Sequence, residues 1–169
     1  MTSTPLHQLH TDIDERVRFI REDRGDWLCG KGCDNCCKRL ADVPQLTGAE
    51  WALLQEGLAA LPPDQFDLIA TRITALGPTP ARPVTCPLLD PDSGACPVYA
   101  QRPVACRTYG FYVDRELGLY CRDIEQQAAD GALNQVVWGN HEVVEQRLAR
   151  LGPQRPLTAW FEDWLAQRP

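Results

Sequence analysis

Four cysteines within nine residues, Cys29, Cys33, Cys36 and Cys37, restrict this chain more than any other feature of it. Free cysteine often behaves as a small buried hydrophobe, but Gly30, Lys31, Gly32 and Asp34 are threaded among these four, and that is a poor way to fill a core. Four more follow after a gap: Cys86, Cys96, Cys106 and Cys121. A chain of 169 residues does not need disulfide staples to fold. The opening Met-Thr-Ser-Thr-Pro5-Leu-His-Gln-Leu-His10 has neither a basic region nor an apolar one, so the expectation is a cytoplasmic protein whose thiols stay reduced. Clustered cytosolic cysteines read first as metal ligands. A redox dithiol switch is the alternative, because close thiols can exchange.

Thiolates bind soft or borderline metals and iron-sulfur clusters, and a tetrahedral site takes four of them. Eight cysteines can therefore fill two four-thiolate sites, or one site with spares. On extended backbone the adjacent Cys36 and Cys37 point to opposite sides. That predicts two neighbouring centres, Cys29, Cys33 and Cys36 serving one while Cys37 joins later cysteines at the other, or one centre with Cys37 outside it. Gly25, Gly30 and Gly32 supply the close backbone approach that a loop around a metal needs. His7, His10 and His141 are the chain's histidines; His141 lies in an expected helix with no His or Cys at i+4, and none of the three is expected to bind metal.

Seventeen Lys and Arg against twenty-three Asp and Glu give a net charge of −6 without a basic run. Nucleic acid is therefore not an expected partner. No apolar stretch approaches the ~20 residues that span a bilayer, so no membrane partner is expected either. With 44% hydrophobic residues, the chain reads as a single domain over 1–169, with a cysteine-cluster core at 29–121 and flanking helices at 12–24 and 132–167.

The expected fold is mainly α: a small helical domain around an irregular cysteine-rich centre, with one short β-hairpin. Ile13, Val17 and Ile20 predict a first helix over 12–24, with Thr11 and Asp14 as a capping box. Thr47 with Glu50 makes a second box ahead of Trp51, Leu54, Leu58 and Leu61; after Pro62-Pro63, the residues Phe66, Ile69, Ile73 and Leu76 repeat the spacing. Seven of the fourteen prolines lie between Pro78 and Pro103, which predicts irregular structure there with a turn over Asp90 to Gly94. Tyr109–Val113 and Leu117–Cys121 form the expected hairpin. Leu133, Val137, Val144, Leu148 and Leu151 predict a long helix ending at Gly152-Pro153, and Leu157 to Leu165 a last one.

The same residues carry a resemblance. Cys29-x3-Cys33-x2-Cys36-Cys37, then Cys86-Pro87-Leu88, Cys96-Pro97-Val98-Tyr99, Arg102-Pro103 and Cys106-Arg107-x-Tyr109, resemble the YkgJ family of cysteine-cluster proteins, described as zinc- or iron-chelating or iron-sulfur domains. The resemblance runs from Cys29 to Cys121 and implies metal binding at all eight cysteines. Flagellin lysine methylases are similar in their cysteine motif, which raises an enzymatic possibility without locating a substrate site.

Three functions follow as expectations. The first is an iron-sulfur protein, 4Fe-4S, transferring electrons to or from a partner protein. The Cys-Pro pairs, which resemble the last ligand of bacterial ferredoxin runs, favour it. The second is a zinc module in which four-cysteine sites fix an irregular centre for interaction. The third is a radical S-adenosylmethionine enzyme, since Cys29-x3-Cys33-x2-Cys36 reproduces that superfamily's spacing. Against it, Asn35 stands where such enzymes carry an aromatic residue, and the strand-helix alternation of a barrel is missing. Arg107, beside Cys106, is a candidate to stabilise thiolate charge or donate to sulfur at the cofactor; a surface salt bridge is the alternative. Tyr99, Tyr109, Phe111, Tyr112 and Tyr120 are placed to shield a cluster or simply to pack. The sequence assigns no catalytic residue and no substrate.

Overall fold

A computed structural model describes residues 4–168. It is mainly helical, and the chain divides into two compact units, each assembled from two separate stretches: 4–30 with 103–151, and 31–102 with 152–168.

The first unit opens on α1, Pro5–Glu22. Thr4 accepts a hydrogen bond from the His7 N–H at 3.2 Å, and Pro5 takes the first helical position, where its missing N–H costs nothing. The helix therefore starts seven residues before the expected 12 and stops at Glu22 rather than 24. The expected box at Thr11 does not form, because Thr11 lies inside the helix and donates its hydroxyl to the His7 carbonyl. The earlier start lengthens the apolar stripe, so that Leu6, Leu9, Ile13 and Ile20 are all buried. The stripe packs on α4, Val104–Thr108, and on α6, His141–Ala149. Two ion pairs pin the same helix: Asp12 to Arg147 at 2.6 Å and Asp14 to Arg107 at 2.9 Å.

A hairpin of β2, Tyr112–Asp114, and β3, Leu117–Leu119, forms as expected but is shorter at both outer ends. Its turn is tight enough to put Arg115 at φ 57°. Strand β4, Gly139–Asn140, adds to β2 in parallel, with Gly139 opposite Tyr112. That pairing corrects the expected long helix over 132–151. A separate helix α5, Arg122–Ala129, ends before Gly131 at φ 77°, and the chain then turns until α6 starts at His141. Leu133 is buried from a turn rather than a helix, and Val137 is exposed.

The second unit holds β1, Gln45–Thr47; α2, Gly48–Ala59; α3, Pro63–Leu76; β5, Gln154–Pro156; and α7, Leu157–Ala166. Strands β1 and β5 pair antiparallel, with Leu46 opposite Arg155, and α7 packs on α3. Leu46, Leu54, Leu58, Ile69, Ile73, Leu157 and Phe161 make one core. Each is worth about 1.5–3 kcal/mol on full burial. Trp160 stacks on Trp51 at 6.3 Å and donates its indole N–H to the Leu46 carbonyl at 2.9 Å, which ties α7 to β1. From 77 to 98 the chain has no helix and no strand, as the prolines predict.

The expected box at the head of α2 is complete and buried. Glu50 N–H donates to Thr47 Oγ1 at 3.3 Å, and the Glu50 carboxylate accepts from the Thr47 N–H at 2.8 Å and from its hydroxyl at 2.9 Å. Thr47→Ala should lower the unfolding free energy by about 1–2 kcal/mol, read from the urea midpoint at unchanged slope. A loss below a few tenths would show that the box does not hold the helix.

Candidate metal centre

Five thiols belong to the second unit: Cys33, Cys36, Cys37, Cys86 and Cys96. All five lie outside helices and strands and are half-buried. The segment after Cys33 is a compact turn. Lys38 N–H donates to the Asp34 carbonyl at 3.0 Å, Arg39 N–H to the Cys36 carbonyl at 3.1 Å, and the Lys38 ammonium meets the Asp34 carboxylate at 2.6 Å. Extended backbone would have sent Cys36 and Cys37 to opposite sides. The turn instead holds their sulfurs 4.0 Å apart. Two thiolates bound to one tetrahedral zinc at ~2.3 Å lie ~3.8 Å from each other, so the pair already has the spacing of one edge of such a site.

The second cysteine-bearing segment is laid against this turn by backbone hydrogen bonds. Leu40 and Val84 exchange both their N–H···O bonds, at 2.9 and 2.8 Å, and Cys86 N–H donates to the Cys37 carbonyl at 2.7 Å. The expected turn over Asp90–Gly94 is present, with Asp90 accepting from Gly94 N–H and from the Ser93 hydroxyl. Gly94, at φ 66°, backs so closely on Gly32 that a Cβ there would sit 2.8 Å from the Gly32 carbonyl oxygen. These contacts bring the loops carrying Cys33 and Cys96 together. Near Cys96 the Arg102 guanidinium lies 3.7 Å over the Tyr99 ring, and Lys31 approaches the same ring at 5.7 Å.

Cys29, Cys106 and Cys121 belong to the first unit. Cys29 donates its thiol to the Tyr109 carbonyl at 3.6 Å and fills the space beside Gly110. Gly110 has φ 92°, and a Cβ on it would fall 2.7 Å from the Cys29 sulfur. Cys106 is exposed on α4, and Cys121 is the residue from which α5 starts. Arg107 is buried and binds both carboxylate oxygens of Asp14, at 2.9 and 3.1 Å. Trp27, two residues before Cys29, stacks on Phe111 at 5.7 Å and leans on Trp138, which in turn packs on Tyr120. Its buried indole N–H has no hydrogen-bond partner among the described residues. The cysteine pattern did not point to Trp27, Trp138, Gly94 or Gly110. Of these, Gly94 alone carried a local signal, as the end of the expected Asp90–Gly94 turn.

His141 is paired with Glu145 at 3.4 Å, His7 is exposed on α1 and His10 is buried there. As the side chains stand, no three Cys, His, Asp or Glu among the described residues converge to hold an ion. In the second unit Cys36 and Cys37 stand as a close pair and the loops of Cys33, Cys86 and Cys96 abut their turn, and thiol groups of this kind would fit zinc or iron.

Residues 28–131 match the model of a family named for a CxxCxxCC motif and described as a candidate zinc- or iron-chelating domain. The chain belongs to the CxxCxxCC family. The match takes in all eight cysteines, and metal binding is the property the family description supports. This member departs from the motif in one place, with three residues rather than two, Gly30-Lys31-Gly32, between its first cysteines. No curated protein and no solved structure matches the chain. No helix among the described residues is long and apolar enough to cross a membrane.

Thiol protonation contributes to the pH behaviour of the metal-free protein at alkaline pH. The neighbouring Cys37 thiol and then burial push the Cys36 thiol far up, and burial pushes up Cys96 against the Val98 N–H and the Arg102 charge. A folded-state pKa above the unfolded one means that the folded chain keeps protons which the unfolded chain releases above its ordinary value of 9.0. The stability these thiols contribute is intact below that pH and is lost progressively above it, as pH rises toward the raised folded-state values. Denaturant midpoints of the metal-free protein should therefore fall as pH rises above 9.0, and Cys36→Ser should flatten the fall. Gly110→Ala should cost more than ~1 kcal/mol through its backbone conformation and its clash with Cys29. Adding Cys29→Ala should recover part of that loss; no recovery would mean that the sulfur and Gly110 do not press on each other.

Proposed function

We propose that this chain is a metal-binding module in which a thiolate-bound ion of the zinc type orders the irregular part of the second unit. The observation that carries this reading is placement. Cys33, Cys36, Cys37, Cys86 and Cys96 all lie on segments without helix or strand, and the two cysteine loops are joined by backbone bonds of Leu40 with Val84 and of Cys86 with Cys37. Cross-linking through a metal supplies the order that regular hydrogen bonding does not. A closed four-thiolate site is the form that zinc takes in such structural roles. Cys36 and Cys37 would hold the ion with the nearby loop cysteines, and the metal would supply binding energy to the fold rather than chemistry.

A second reading is an iron-sulfur protein, 4Fe-4S, that exchanges electrons with a partner protein. Two observations favour it: eight thiols exceed one four-thiolate site, and the aromatic group of Trp27, Phe111, Trp138 and Tyr120 keeps a buried, unpaired indole N–H near Cys29. N–H donors to sulfur and aromatic shielding both tune cluster potentials.

Anaerobic purification with analysis of zinc, iron and acid-labile sulfide separates the two. Colourless protein with zinc and no sulfide is the expected result, since zinc is d¹⁰. Brown protein with iron and sulfide would replace it with the second reading. Protein that takes up neither metal would overturn both. Loss of the metal should raise amide exchange across 78–98 while sparing α1 and α6.

A further inference from the structure

We infer that Cys36 and Cys37 bind one and the same ion, as two corners of a single tetrahedron, with Cys86 placed beside them as a further donor. The inference rests on the metal-binding reading and adds how the ligands are divided. Adjacent cysteines can serve two centres only if their side chains diverge, as they do on extended backbone. Here the Asp34–Lys38 turn removes that geometry and leaves the sulfurs 4.0 Å apart. Three outcomes compete for such a pair. A disulfide needs the sulfurs at ~2.05 Å, about 2 Å closer than they stand. A four-iron cluster places one cysteine on each iron, so the two would have to spread onto different irons. A single tetrahedral ion needs ~3.8 Å, which calls for a movement of about 0.2 Å.

The backbone around the pair is tied on both sides. The Cys36 carbonyl accepts from Arg39 N–H at 3.1 Å, and the Cys37 carbonyl accepts from Cys86 N–H at 2.7 Å. The second of these bonds puts the Cys86 backbone directly against Cys37, and the Leu40–Val84 pair fixes the register. Two segments that carry three of the cysteines are therefore held together through their backbones, with two of the sulfurs already paired and the Cys86 thiol left to turn toward them. The ion that fits is one with at least two cysteine ligands of its own: zinc, a single iron, or one iron of a two-iron cluster.

The test uses the full chain loaded anaerobically with cobalt(II), which reports thiolate ligation through charge-transfer absorption, together with metal counting. Parent, Cys36→Ser, Cys37→Ser and the double variant are compared, with helical circular dichroism checking that each is folded. Each single variant should lose about one quarter of the charge-transfer intensity of a four-thiolate ion, or lose that ion altogether. The double variant should lose no more ions than either single one. Two different ions lost in the two single variants, adding up in the double, would overturn the inference, as would full metal and unchanged absorption in Cys37→Ser. Cadmium NMR of the parent makes the same decision without substitution. Coupling of the Cys36 and Cys37 β-protons to one cadmium resonance supports a shared ion, and coupling to two different resonances refutes it. A parent that takes up no cobalt, cadmium or zinc would instead remove the metal-binding reading itself.

Discussion

Three backbone hydrogen bonds, the reciprocal Leu40–Val84 pair and the Cys86 N–H on the Cys37 carbonyl, hold together the two cysteine segments of the second unit. Around them the chain is rich in proline and poor in regular pairing. A segment of this kind loses conformational entropy on ordering at a cost of ~1–2 kcal/mol per residue, and three backbone bonds return only about 1 kcal/mol each. Burial of Val84, Leu88, Leu89 and Val98 adds to the balance. Side-chain bonds contribute as well, from Arg82 to the Asp42 carboxylate and from Arg72 to the Leu89 carbonyl.

What the sequence made legible is what neighbouring residues decide among themselves. The Thr47–Glu50 box, the start of α3 at Pro63 and the proline-broken stretch after Leu76 all follow local rules and appear as read. The start of α1 was less legible because two capping sites compete. Thr4 with Pro5 prevails over Thr11 because it brings Leu6 and Leu9 into the buried stripe. The break before α6 could not be read locally at all: Leu133 and Val137 have helical spacing, but Gly139 is taken by Tyr112 as a strand partner from far along the chain.

At the candidate site, the cysteines were legible and the direction of their side chains was not. Adjacent cysteines diverge on a strand, and a single Asp34–Lys38 turn, closed by an ion pair as well as a backbone bond, reverses that result. Arg107 shows the same limit. Its charge beside Cys106 is visible in the sequence, whereas its bond to Asp14, on a helix that precedes the whole cysteine core, is a product of tertiary packing.

The tryptophans are distributed so that each unit has its own set. Trp27 and Trp138 are in contact in the first unit, while Trp51, Trp160 and Trp164 are in contact in the second. Indoles this close couple their excited states through their fixed mutual angles, so each group has an optical signature that exists only while its own unit is packed. The protein thus carries two built-in chromophores, one per unit, and the order in which the units melt is written in its near-ultraviolet spectrum.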